Sequence, residues 1–171
     1  MRYMMTVNSP IGLLTLVEEA GALCELHFGP YDTEALECAT PLLLQAAQEL
    51  EAYFRGERRQ FSVPLAPSGT VFQRQCWQAL LRIPYGETRT YGQQAAAIGR
   101  PAAVRAVGMG NHRNPLPIFL PCHRVVGKNG TLTGYAGGLD KKEYLLTLER
   151  MNRHDSAQNQ DCMHAGPLDS E

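Results

Sequence analysis

The chain lacks any apolar run of about 18 residues, which excludes a membrane-spanning helix. Its opening residues, Met1 to Thr6, carry no apolar stretch of the kind that drives secretion. There is one tryptophan and no Cys-x-x-Cys pair. The five cysteines (Cys24, Cys38, Cys76, Cys122 and Cys162) are odd in number and scattered. That excludes a disulfide framework and a zinc-finger spacing, and a cytoplasmic, reducing location is expected. Cys24 and His27 on one segment are read as core or edge residues rather than as a metal pair. What is present is ordinary for a globular protein: 171 residues, 44% hydrophobic and 19% charged, enough for one domain or two small ones.

Net charge is only −1, which taken alone argues against a nucleic-acid partner, but the charge is segregated. Residues 1–60 hold 4 Lys/Arg against 9 Asp/Glu. Residues 72–128 hold 8 basic residues against Glu87 alone, and seven of the eight are arginine. Residues 129–171 are again acidic, 4 against 7. A basic segment between two acidic ones is either a solvated surface or an electrostatic footprint, and total charge hides it. Arginine has the fork geometry that suits phosphates.

Three short segments, Arg2–Val7, Leu13–Val17 and Ala22–Phe28, are rich in apolar and β-branched residues and are separated by turn signals. They predict a small antiparallel meander. Thr40 with Pro41 predicts a helix start, Leu43, Ala47, Leu50 and Phe54 its apolar positions, and Gly56 its end. Pro64 to Gly69 reads as a linker. Thr70 with Gln73 forms a capping box, and Phe72, Cys76, Ala79, Leu80 and Ile83 make the stripe of the helix that follows. Thr90 caps a short helix over 91–98, and Pro101 opens another over 102–109. Two short helices about a glycine turn suggest a helix-turn-helix. Ile118-Phe119-Leu120 reads as a short buried strand. The glycine-rich 127–138 loop follows, without a phosphate-loop ending. A helix over 139–150 closes the fold, with Tyr144, Leu145 and Leu148 inward. The polar, aperiodic 151–171 stretch predicts a disordered tail.

The chemical candidate is Cys122, delivered into a loop beside His123 and Arg124. A free thiol, with a pKa of about 8.5, is mostly protonated at neutral pH, so a reactive one needs a base and positive charge nearby. The base in turn needs an orienting carboxylate, for which Glu149 and Glu143 stand open. On the dipeptide alone, the commoner case is a buried cysteine beside a surface histidine.

Pro121-Cys122-His123-Arg124-Val125 resembles the signature of the O6-alkylguanine-DNA alkyltransferases. The resemblance extends upstream through Ile83-Pro84-x-Gly86, Thr90-Tyr91-Gly92, Ala103-x-Arg105-Ala106-Val107-Gly108 and Asn114-Pro115. Downstream it continues through Gly127-x-x-Gly130, Gly134-Tyr135-x-Gly137-Gly138 and Lys142-x-x-Leu145-Leu146-x-x-Glu149. It implies a ribonuclease H-like α/β N-terminal domain (meander plus helix) over 1–65 and a linker at 66–69. A mostly α, winged-helix-like DNA-binding and catalytic domain with a helix-turn-helix is implied over 70–150. Gly110 stands where the family usually has alanine, and Tyr144 where tryptophan is frequent in the core.

The resemblance also implies roles. Cys122 accepts the alkyl group, His123 is the base acting through a water, and Glu149 orients it. Tyr91 donates to N3 of a flipped guanine. Arg105 fills the gap that the base leaves. Ala102 and Ala103 permit close approach to a minor groove, and Arg124 belongs to the DNA-binding set. Asn114, Pro117, Val125, Tyr135 and Ala136 form the substrate pocket, the last through its backbone N–H and Val125 through its carbonyl. The implied partner is double-stranded DNA containing alkylated guanine, with no cofactor, metal, membrane or obligate protein partner. A lesion binder without transfer, a cysteine hydrolase and a plain helix-turn-helix regulator are the competing readings, and they divide on whether Cys122 is consumed.

Overall fold

The computed structural model describes residues 1–32 and 34–153. The first segments form strands β1 (Arg2–Val7), β2 (Leu14–Glu19) and β3 (Ala22–Phe28), paired antiparallel as expected. A fourth strand, β4 (Leu36–Glu37), was not foreseen. It pairs parallel with β1, so the sheet is mixed, in the order β3-β2-β1-β4. Two residues carry too little periodicity to announce a strand. Cys24 and His27 lie three residues apart on β3, and the His27 ring nitrogen instead pairs with Glu25 at 2.8 Å.

Helix α1 (Pro41–Phe54) starts where the sequence places it: the Thr40 hydroxyl accepts from the Leu43 N–H, and Pro41 leads the first turn. Gly56, at φ +77°, ends it in a conformation that suits glycine. Its buried face is Leu43, Ala46, Leu50 and Tyr53 rather than the predicted Ala47 and Phe54 positions. Glu49 is also buried there. Its carboxylate accepts from the backbone N–H of Ser62 and Val63 and from the Ser62 hydroxyl, and so ties the return segment to the helix.

Helix α2 (Val71–Leu81) carries the full Thr70–Gln73 capping box, and α3 (Tyr91–Ala97) an equivalent one from Thr90 and Gln93. Each cap is worth about 1 kcal/mol. Helix α4 (Val104–His112) begins two residues later than predicted and runs three residues further. Pro101 and Ala102 form a turn instead, and Gly110 does not end the helix. A Cβ at Gly110 would stand 3.1 Å from Sγ of Cys76, so glycine permits close packing of α4 on α2. Polar clamps fix the three helices. The Trp77 indole donates to the Gly110 carbonyl at 2.9 Å, and Gln94 and Asn111 exchange amide hydrogen bonds at 2.9 and 2.7 Å.

Residues 118–120 are buried but are not a strand. Ile118 has φ +77°, and the Leu120 N–H donates to the Leu116 carbonyl at 2.8 Å, closing a tight turn. A 3-10 turn over Cys122–Arg124 follows, then β6 (Val125–Val126), parallel to β5 (Arg89–Thr90). Helix α5 (Leu139–Met151) buries Lys142, Leu145, Leu146 and Glu149. Tyr144, predicted inward, is exposed, because it falls on the opposite face. Met151 is helical, so the helix continues into the predicted tail. The rest of that prediction, from residue 154 on, lies outside the described residues.

The core is continuous across both halves of the chain, from Leu14 and Leu43 through Trp77 and Val107 to Leu145. At the end of the linker, Gly69 packs tightly on α2: a Cβ there would lie 2.4 Å from the Trp77 ring. Gly69→Ala is therefore expected to lower the unfolding free energy by about 1–3 kcal/mol through overpacking, as measured by urea denaturation. A loss under about 0.5 kcal/mol would contradict this packing.

Candidate active site and nucleic-acid face

The centre is built around a buried carboxylate. Glu149 is only 1% exposed and accepts hydrogen bonds from four residues. His123 Nε2–H donates to Oε2 at 2.7 Å, and the Tyr53 hydroxyl donates to the same oxygen at 2.6 Å. The Arg124 guanidinium donates from Nε to Oε1 at 2.8 Å and from Nη2 to Oε2 at 3.0 Å. The Gly86 N–H reaches Oε1 at 3.2 Å. Burial pushes this carboxyl up, but His123 and Arg124 outweigh it and hold it well below the usual range. Glu143, the alternative orienting residue, is exposed. It lines a cleft of about 720 Å³ with Arg89 and Arg150, and Cys122 is not among that cleft's lining residues.

His123 is completely buried. Burial lowers the basicity of its imidazole, and the pull of Glu149 only partly restores it, so the ring is neutral at pH 7. With Nε2–H committed to Glu149, Nδ1 carries the lone pair. It is buried and accepts no hydrogen bond from the described residues. This is the arrangement of a general base.

Cys122 is also buried, and burial pushes its thiol up to about 11. The Asn114 side chain and the Lys142 ammonium pull the other way without overcoming it. The resting residue is therefore a thiol. The cation beside it is not Arg124, as the sequence suggested, but Lys142. That lysine is fully buried on α5, and its Nζ donates to the Thr133 carbonyl at 2.8 Å. Burial lowers Lys142 to about 8.

Cys122 opens into a cavity of about 100 Å³ lined by Tyr91, Gly108, Asn111, His112, Gly134, Tyr135 and Ala136. Tyr135 and Ala136 are thus placed as expected. Asn114, Pro117 and Val125 are not among its lining residues. Asn114 instead braces the turn beneath the thiol, accepting from the Leu116 N–H and donating to the Leu120 carbonyl, both at 2.8 Å. Pro117 and Val125 are buried, and the Val125 N–H donates to the Cys122 carbonyl. The Tyr91 hydroxyl accepts from Thr133 at 3.0 Å. Gly108, Asn111, His112 and Lys142 were missed by sequence reasoning. The helical spacing 108, 111, 112 was visible, but nothing local showed which face of α4 meets the thiol.

Arg105 and Ala102 are exposed at the start of α4, and Ala103 is partly so. Arg74, Arg82, Arg100, Arg113 and Lys128 are exposed as well. Arg124 is the exception and corrects its assignment to the DNA-binding set. It is 7% exposed, and besides Glu149 it donates to the Ile83 carbonyl at 2.7 Å. Among the described residues, no three His, Cys, Asp or Glu side chains gather as metal ligands would.

Arg124→Met is expected to cost about 3–5 kcal/mol of stability, because it strands a buried carboxylate. Chemical denaturation at pH 7 measures this, and a cost under about 1 kcal/mol would show that the pair is not a structural keystone.

The chain is similar to known proteins over both of its halves. Residues 1–67 match the family described as 6-O-methylguanine DNA methyltransferase, ribonuclease-like domain. Residues 71–151 match its DNA binding domain. The constitutive methylated-DNA–protein-cysteine methyltransferase of Bacillus subtilis is 50% identical over 163 residues, covering 89% of this chain and 98% of that protein. The Methanosarcina acetivorans methylated-DNA–protein-cysteine methyltransferase is 50% identical over 152 residues, covering 86% and 97%. The crystal structure of Mycobacterium tuberculosis O6-methylguanine methyltransferase superposes with a TM-score of 0.83 at 45% identity, covering 89% of this chain and 94% of that one. A structure of the same enzyme in complex with DNA gives 0.82 at 46% identity, covering 88% and 94%. With both halves matched in order, the chain belongs to the 6-O-methylguanine DNA methyltransferase family.

Proposed function

We propose that the protein repairs alkylated DNA by direct reversal. It moves the alkyl group of O6-alkylguanine, and of O4-alkylthymine, onto Sγ of Cys122. The observation that carries this reading is a thiol at the base of a small cavity, bounded on one side by the helix-turn-helix and on the other by the 134–136 loop. The target atom is inaccessible within a duplex, so the base is flipped into the cavity. Tyr91, Tyr135 and the Ala136 N–H form its walls. Tyr91 donates to guanine N3 as charge develops on the leaving group, and the Ala136 N–H donates to O6. Asn114 and Pro117 support the pocket from beneath, and the carbonyls of Cys122 and Val125 accept from the guanine amine.

The step balances without an added reagent. His123 Nδ1 takes the thiol proton through a water, with Glu149 holding the imidazole from behind. The thiolate forms an S–C bond as the C–O6 bond breaks. The proton returns to the restored guanine. The product thioether is not reduced by thiols as a disulfide would be, so each chain acts once. The exposed face of α4 suits a minor groove. Ala102 and Ala103 keep it low, and Arg105 occupies the space that the base vacates. Arginine contacts to phosphate make binding weaken with salt.

Mass spectrometry after mixing the protein with a duplex carrying one O6-methylguanine tests the reading. The peptide holding Cys122 is expected to gain one methyl group per chain, and Cys122→Ala to gain none while still binding. Binding without mass gain would make the protein a lesion binder.

The rate of transfer should also be bell-shaped in pH. Transfer needs neutral His123, whose folded-state midpoint lies below 6.5, so the acid limb falls below that value. It also needs charged Lys142 beside the thiolate, so the rate declines above about 8. Single-turnover kinetics should show the basic limb vanish in Lys142→Met. Its persistence there would exclude Lys142 as its source.

A further inference from the structure

Tyr53 belongs to α1, in the N-terminal half of the chain, 96 residues from Glu149. It is fully buried, and its hydroxyl donates at 2.6 Å to Oε2, the oxygen that also receives His123 Nε2–H. The ring is held by aromatic neighbours on several sides. Phe61 lies 5.5 Å away, Phe54 5.4 Å and Tyr85 6.3 Å, centroid to centroid. Packing alone would be met by phenylalanine. The hydroxyl is costly to bury and is aimed at one atom.

We propose that Tyr53 is a positioning residue for the His123–Glu149 pair, so that the N-terminal domain completes the proton-accepting machinery rather than merely covering it. Its importance for transfer rests on the alkyltransferase reading, but its effect on the imidazole does not. Three donors share Oε2: His123 Nε2–H, the Tyr53 hydroxyl and, at 3.0 Å, Nη2 of Arg124. The Tyr53 hydroxyl draws charge from that oxygen and limits how strongly the carboxylate pulls on the imidazole proton. It also fixes the oxygen in place, and with it the direction of Nδ1.

The other charged and titratable groups around the pair bear on any pH effect. His123 faces Arg124 and Lys142 besides Glu149. Glu149 is felt by Tyr85, whose buried hydroxyl is without a hydrogen-bond partner among the described residues, and by Arg59 from the return segment. Of these, Tyr53 is the one N-terminal residue bonded to Glu149 among the described hydrogen bonds.

The test is an NMR titration of the His123 ring nitrogens, run beside single-turnover transfer from an O6-methylguanine duplex. In Tyr53→Phe the carboxylate keeps more charge on Oε2. The His123 midpoint is then expected to rise by up to about one pH unit, and the acid limb of transfer to rise with it. Replacing Tyr53 with 3-fluorotyrosine, a stronger donor of nearly the same shape, is expected to move both downward. Phe61→Leu loosens the same aromatic cluster without touching Glu149, and should lower stability while leaving the midpoint in place.

The proposal is overturned if Tyr53→Phe titrates like the wild type, or if Phe61→Leu shifts the midpoint equally. Should Tyr53→Phe not fold, the fluorotyrosine shift decides, and its absence overturns the proposal. If the midpoint moves as expected but the wild type transfers no methyl group, the alkyltransferase reading fails and the positioning role stands.

Discussion

A carboxylate out of water has to be fully bonded, and the rest of this molecule is arranged around that requirement. Glu149 meets α1 through Tyr53, the turn after α2 through Gly86, and the 3-10 turn through His123 and Arg124. These partners come from three widely separated parts of the chain. The bonds that lower the energy of one buried charge therefore also dock the N-terminal sheet domain onto the helical one. Two further contacts follow the same seam. The Leu26 N–H on β3 donates to the Pro115 carbonyl at 2.8 Å. Phe28 packs on Tyr135 of the pocket wall, 5.7 Å between ring centroids. A Cβ on Gly137 would come within 3.1 Å of the Phe28 ring, so the glycine there is a condition of that contact.

The division of the arginines has the same origin. Seven of the eight basic residues between 72 and 128 lie at least partly in solvent, and Arg124 does not. Its fork geometry is directed at Glu149, and Nη1 donates to the Ile83 carbonyl. The thiol is served instead by a lysine from another helix. One basic segment thus divides into an outer face that can meet polyanions and an inner cation that holds the centre together.

Local chemistry was readable where it is local. Thr40, Thr70 and Thr90 announce their helices because a cap needs only its own first turn. Glu149 could also be preferred to Glu143. It lies four residues after Leu145 and three after Leu146, on the buried face of α5, whereas Glu143 projects outward. The same reasoning would have placed Lys142 inward. Tyr144 was misplaced because it was grouped with its neighbour Leu145 and not set against the helix period, which puts it on the opposite face. Ile118 to Leu120 read as a strand because a short apolar run looks alike in a strand and in a buried turn. Tyr53 and the burial of Arg124 had no signal in the sequence. One depends on a contact 96 residues away, and the other on which side of a three-residue turn faces the core.

The height of the Cys122 thiol has a consequence for selectivity. A sulfur held near 11 is a poor nucleophile toward whatever small electrophile or oxidant reaches it in passing, since the thiolate is what reacts. A protein that can act once has more to lose from a wasted encounter than from a slow one. Burial keeps the sulfur dormant, and on the mechanism proposed above it is roused only when a fitting group has completed the water-relayed path for the proton to His123. Storage and discrimination are then the same property, and desolvation supplies both.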